Sequence, residues 1–218
     1  MKADTSRRNG PRPPRTNDPD GNRRNIIEVA THEFAAKGLS GARVDAIAAR
    51  TKTSKRMIYY YFGGKEGLYI AVLEEAYRKI RSIEATLDLE HQEPAEALRA
   101  LVGFTFDYQN AHPEFIRLVM NENILNGAYV SRSKEIRRLN SAVIDAVRAL
   151  LIRGQRQGVF RPDLDPVDLH MSISALCFFN VANRATFSTI FKRDMESRKA
   201  LAARRAQIAE LIFRYAKR

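Results

Sequence analysis

The chain has 218 residues, 44% hydrophobic and 28% charged, which is the make-up of a folded globular protein with one or two domains rather than of a disordered one. Apolar runs such as Ala175 to Phe179 fall far short of the ~20 residues of a membrane span, no apolar leader follows the basic N-terminus, and the single cysteine supports neither an intrachain disulfide nor a thiolate metal site. Charge is the informative quantity: the net is +12, and residues 1–65 carry 14 basic against 6 acidic side chains, the asymmetry of a polyanion-facing end. The expectation is a soluble cytoplasmic protein.

Residues 1–21 hold Pro11, Pro13, Pro14 and Pro19 with Arg7, Arg8, Arg12 and Arg15, and almost nothing apolar. Such a stretch cannot offset its ordering entropy by burial, so it reads as a disordered basic arm. A first helix over about 22–37 sets Ile26, Ile27, Ala30, Phe34 and Ala35 on one face, and Gly38 ends it. Two short helices follow, over about 44–50 and 55–61, joined by Thr51-Lys52-Thr53-Ser54. Longer helical patterns occupy about 65–87, 94–110, 113–126 and 133–157; Pro94 and Pro113 suit first-turn positions. Asp165 and Pro166 open an eighth helix, and a ninth covers about 194–216. Nine helices and no convincing strand make the fold class all-α.

The segment Gly41 to Leu68 carries the chemistry. Val44, Ile47 and Ala48 face inward from one short helix, and Ser54 caps the next, whose Ile58 and Phe62 point back into the core. Lys55, Arg56, Met57, Tyr59, Tyr60 and Tyr61 are left on or near its open surface. Cations at the head of a short helix and phenols beyond it fit major-groove entry by a helix-turn-helix. Lys65, at the start of the following helix, adds a phosphate site.

With Ala30, Phe34 and Gly38 before them, Gly41, Ile47, Ala48, Ser54, Ile58, Tyr59, Phe62, Lys65 and Leu68 resemble the DNA-binding domain of the TetR/AcrR transcriptional regulators. The resemblance covers residues 22–68 and implies DNA contacts at Arg43, Val44, Lys55, Arg56, Met57, Tyr59, Tyr60, Tyr61 and Lys65. Thr51-Lys52 stands where the family usually has Ala-Gly, so a non-glycine residue must seat the turn, at ~1–2 kcal/mol if it is left-handed. Arg56 and Met57 replace small residues, so the operator sequence does not carry over.

The resemblance further implies that residues 69–218 form an effector-binding and dimerisation domain. The eighth helix is apolar nearly all round over 173–182 and needs cover on more than one side. In the family the last two helices pair with their two-fold mates, which makes Leu169, Ile173, Leu176, Phe179, Leu201, Ile208, Leu211 and Tyr215 the interface candidates. Aromatics mixed with polar groups mark Phe104, Tyr108, Arg117, Met120, Asn121, Phe178 and Asn183 as candidates for an effector pocket.

Cys177 reads as a buried small hydrophobe, and the four histidines show no metal-ligand spacing. Gly63-Gly64-Lys65-Glu66-Gly67 lacks the spacing and the preceding strand of a phosphate loop, and no nucleophile–base or paired-carboxylate motif is present. No enzymatic activity and no cofactor are therefore expected. The expected partners are double-stranded DNA, a second copy of the chain and an unknown small-molecule effector, with no membrane. The reading is a homodimeric repressor released from a palindromic operator. An activator, an effector-independent regulator and a helical small-molecule carrier remain open alternatives.

Overall fold

The computed structural model describes residues 18–218. Most of the expected basic arm lies outside these residues, but its end does not. Asp18 accepts a hydrogen bond from the Gly21 N–H at 2.8 Å, and Pro19 takes the first helical position, so helix α1 begins three residues earlier than expected. Among the described residues there are ten α-helices: α1 Pro19–Gly41, α2 Val44–Thr51, α3 Lys55–Phe62, α4 Lys65–Glu84, α5 Pro94–Ala111, α6 Pro113–Ile124, α7 Lys134–Arg156, α8 Pro166–Ala182, α9 Arg184–Phe191 and α10 Arg198–Ala216. Two short 3₁₀ turns, Ala85–Leu87 and Val130–Arg132, follow α4 and precede α7.

The expected count of nine is corrected by α9. Asn183 closes α8 and opens α9, and the eight residues of α9 include Thr186, Thr189 and Ile190, whose β-branches weaken a helical reading. The last helix also starts later than expected. The Asp194 carboxylate accepts the Glu196 and Ser197 N–H groups, holding a turn, and Ser197 then caps α10 through the Ala200 N–H. Gly38, with φ 66°, ends the long part of α1 as the sequence suggests, and one further turn follows it.

One apolar cluster joins α1, α2, α3 and the first half of α4: Ile26, Phe34, Ile47, Ile58, Leu68, Tyr69 and Val72 are closed to solvent. The Phe34 and Tyr69 rings meet edge to face at 5.0 Å. A second cluster joins α5, α7, α8 and α10 through residues including Leu98, Phe106, Leu150, Phe160, Ile173, Cys177 and Ile208. A third, around Ile80, Tyr108, Phe115 and Ile116, lies where α4, α5, α6 and α8 meet. Helix α4 enters both the first and the third cluster, so it runs without a break from the head of the molecule into its body. The C-terminus is tied down by Arg161 N–H to Ala216 C=O at 3.0 Å and Arg218 N–H to Val159 C=O at 3.1 Å.

Candidate nucleic-acid interface

The two short helices are set by their turn. Lys52 adopts φ 53° and ψ 31°, the left-handed conformation that its place in the sequence demanded of a non-glycine residue. Its N–H bonds the Ala49 carbonyl and that of Thr53 the Ala48 carbonyl, so the last turn of α2 is closed by backbone despite the side chain. Ser54 then accepts the Met57 N–H at 3.3 Å and starts α3. At the other end, Gly63 (φ 72°) terminates α3. A Cβ on Gly67 would stand 1.9 Å from the Phe62 carbonyl oxygen, so only glycine lets α4 begin this close to α3.

This anchoring buries Ile58 completely and turns the rest of α3 outward. Lys55 and Arg56 are exposed, Tyr59 is half exposed and Tyr60 is 77% exposed. Met57 and Tyr61 are partly covered; Tyr61 packs on the first cluster and stacks edge to face with Tyr60 at 5.5 Å. Phe62 also leans on the core, where the Arg23 guanidinium lies over its ring at 5.4 Å. The face offered to solvent is thus a cation pair followed by two phenols.

Val44 faces inward, as its spacing implies. Its side chain is only 8% exposed and packs in the first cluster, so it offers a ligand its backbone and nothing else. Helix α2 has no side-chain cap at its start, and the Arg43 side chain is exposed beside it. Free N–H groups and a neighbouring guanidinium form an anion site. The start of α4 is likewise uncapped, with Lys65 in its first turn. Lys65 Nζ donates one bond to the Ser40 carbonyl at 3.1 Å, which fixes its position and leaves two of its donors free.

One residue of this surface escaped the sequence reading. Asp45, on the exposed side of α2, lies 2.9 Å from Lys55 Nζ and holds the Lys55 ammonium above its ordinary pKa. A ten-residue separation across a turn carries no local signal of such a pair. Buried Glu33 plays a structural part: it is kept below the usual carboxylate range by Lys37, bonded at 2.8 Å, and accepts the Arg43 N–H at 3.4 Å.

In the body, four of the pocket candidates, Phe104, Tyr108, Met120 and Phe178, pack together in the third apolar cluster. Three other candidates do not join them. Arg117 is exposed, because it lies on the outer face of α6. Asn183 is exposed at the α8–α9 junction. Asn121 turns toward the head, where its amide donates to the Phe34 carbonyl at 3.3 Å. The interface candidates divide too: Leu169, Ile173 and Ile208 are buried within the protomer, since their faces of α8 and α10 pack on α5 and α7. Leu176 and Leu201 are partly covered, and Phe179, Leu211 and Tyr215 are open. Met171 and Val167, one and two turns before Ala175, extend the exposed stripe of α8. Cys177 is fully buried, and burial pushes its thiol up to about 12. Among the described residues no group of three potential metal ligands occurs, and no helix is long and apolar enough to cross a membrane.

A turn closed by backbone and capped by Ser54, a buried Ile58 and an open basic-aromatic helix define a helix-turn-helix DNA-binding head on an all-helical body. Residues 26–72 match the pattern described as bacterial regulatory proteins of the tetR family, and residues 94–212 match the tetracyclin repressor-like C-terminal domain. The transcriptional repressor NicS of Pseudomonas putida is 36% identical over 195 residues, covering 89% of this chain and 92% of the relative. The repressor SCO4008 of Streptomyces coelicolor is 32% identical, covering 73% of this chain and 78% of its own. The crystal structure of the transcriptional regulator SCO4942, also from Streptomyces coelicolor, superimposes with a TM-score of 0.68 at 27% identity, covering 89% and 98% of the two chains. The chain belongs to the TetR family of bacterial transcriptional regulators, DNA-binding proteins rather than enzymes.

Proposed function

We propose that this protein is a cytoplasmic repressor that binds a palindromic operator as a two-fold dimer and leaves it when a small molecule enters the body. The observation that carries the reading is the open face of α3, with Lys55, Arg56, Tyr59 and Tyr60 standing clear of a rigid, fully packed base. Residues 22–68 act as the reading head, residues 69–218 as the regulatory body, and the basic arm adds charge to the head. Arg56 reads a guanine edge in the major groove, with Met57 beside it. Arg43, Tyr59, Tyr60, Tyr61 and Lys65, with the free N–H groups at Val44, hold phosphates and set the register. Two relatives that cover most of this chain are named repressors, which supports repression over activation.

The dimer forms through the stripes of α8 and α10 that carry Met171, Leu176, Phe179, Leu201, Leu211 and Tyr215. Apolar side chains left open, as Met171, Phe179, Leu211 and Tyr215 are, with Leu176 and Leu201 partly covered beside them, are what an isologous helical interface buries. Such a dimer sets two copies of α3 about one DNA turn apart. Release follows from a population shift: α6 packs on α1, and the Asn121 bond to Phe34 ties the two, so a ligand that moves α4 or α6 retilts the head.

Selection from a random duplex library tests the reading. It should enrich an inverted repeat, and sedimentation should find a dimer both free and on that DNA. Affinity should fall steeply with salt, each neutralised phosphate adding about −0.9 to the slope of log K against log salt. No enriched sequence, or a monomer on the DNA, would contradict it. Lys65→Ala should weaken all sequences alike and flatten the salt slope by about one such step.

A further inference from the structure

Helix α4 carries an ion pair into the interior of the body. Arg81 and Glu84 bond to each other with 12% and 5% of their side chains exposed. Both line an open-mouthed chamber of about 330 Å³ between α4, the Asp88–Glu90 loop, α5 and α7, walled by Leu89, Leu101, Leu139, Val143 and Val147, with Ala142 exposed at its mouth. The pair is incompletely satisfied. Glu84 holds only Nη1 of the guanidinium, and the buried Nε has no partner. Burial pushes the Glu84 carboxyl above its ordinary pKa in spite of the guanidinium beside it, so Glu84 is a reluctant anion. The Arg81 charge also reaches Tyr77, Tyr108 and His170, none of which supplies a second anion.

A guanidinium presents a fork that two oxygens of one carboxylate fill, and a buried N–H without a partner is costly. Asp88 and Glu90 also line the chamber, but they stand exposed at its rim; Asp88 is paired with His91, and Arg153 bonds the loop carbonyls of Leu89, Glu90 and Gln92. Rim charges in water are screened, whereas Arg81 acts inside. We infer that this chamber takes a small monocarboxylate with an apolar body, which displaces Glu84 from Arg81 and pairs with the guanidinium in its place. The volume suits a compact acid, of the size of benzoate or a short fatty acid, and the aliphatic walls suit its body. The inference rests on the proposed release of DNA by an effector only in calling this acid the effector; the site stands or falls separately.

The test uses the full chain, with benzoate and hexanoate as probes and benzamide, benzylamine and hexanol as their uncharged or cationic counterparts. Binding is followed by calorimetry, and release by fluorescence anisotropy of the selected operator. At least one acid should bind ten or more times tighter than its counterparts. Glu84→Gln, which removes the competing charge, should tighten it several-fold. The double change Arg81→Met with Glu84→Met replaces the pair by apolar groups of similar length, and should weaken the acid at least tenfold while the ligand-free protein melts near the wild-type temperature. Equal binding of acids and amides, preference for the amine, no binding of either acid, or an unchanged affinity in the folded double variant would each overturn the site. An acid that binds through Arg81 without releasing DNA would uphold the site and sink the release reading. DNA release by a neutral molecule that ignores Arg81 would do the opposite.

Discussion

The head and the body of this protein are built on different principles. In the head, side chains from α1 to α4 close to solvent around Phe34, Ile47, Ile58 and Leu68; the buried carboxylate of Glu33 is paired with Lys37, and most polar groups stand outside. In the body, polar and ionisable groups lie inside: Arg81 with Glu84, Gln109 with an unpartnered amide oxygen, and His170, which burial holds down to about 4. A dry core makes a rigid platform from which a recognition helix keeps its geometry. Interior charges beside an open-mouthed chamber suit the proposed role of a body whose packing a ligand alters. The division suits the proposed labour of this regulator, with reading at one end and sensing at the other.

The contrast breaks most visibly at Phe34. Phe34→Ala, which empties a fully buried site against Tyr69, should cost ~3–5 kcal/mol in chemical denaturation and take the head's order with it. A loss under about 1 kcal/mol would mean the head is looser than described. Next in size, Arg56→Ala should leave the fold intact and cost ~1–3 kcal/mol in operator affinity, with preference relaxed at one base pair of each half-site. A uniform loss across all sequences would reassign Arg56 to a phosphate.

His170 sharpens the other side of the comparison. It lies in the body with a pKa lowered by burial and by Arg81, so the folded state prefers it neutral. Both states hold it neutral above pH 6.5, and the unfolded chain gains the proton first as pH falls toward about 4. Stability should therefore drop on acidification, by roughly 1–2 kcal/mol at pH 5 after allowing for its open side. His170→Leu should flatten that part of the profile, measured as urea midpoints between pH 7 and 5; an unchanged slope would place the acid sensitivity elsewhere. The smallest effect belongs to the turn. Lys52→Gly should raise stability by ~0.5–1 kcal/mol by relieving the left-handed backbone, less what glycine adds to the entropy of the unfolded chain.

How much of this was legible in the sequence follows the same division. In the head the determinants are local: Ser54 caps α3 and Gly38 ends the long part of α1, so both helices stand where the pattern puts them. The left-handed demand on Lys52 was readable for the same reason. Val44, Ile47 and Ala48 pack inward as their spacing in the short helix puts them. In the body, period alone found α5 to α8 but could not tell which stripe of α8 and α10 turns inward, so Leu169, Ile173 and Ile208 looked like interface residues. The Arg81–Glu84 pair sits three residues apart in an ordinary charged helix, and only its burial distinguishes it from the exposed Arg78–Glu75 pair six residues earlier.

The most direct measurement is methylation interference on the selected operator, which marks guanine N7 in the major groove and adenine N3 in the minor groove in a single experiment. With α3 in the major groove, guanine N7 methylation should block binding in two clusters about one helical turn apart. Interference confined to adenine N3, or absent at every position, would show that DNA meets some other face of the molecule.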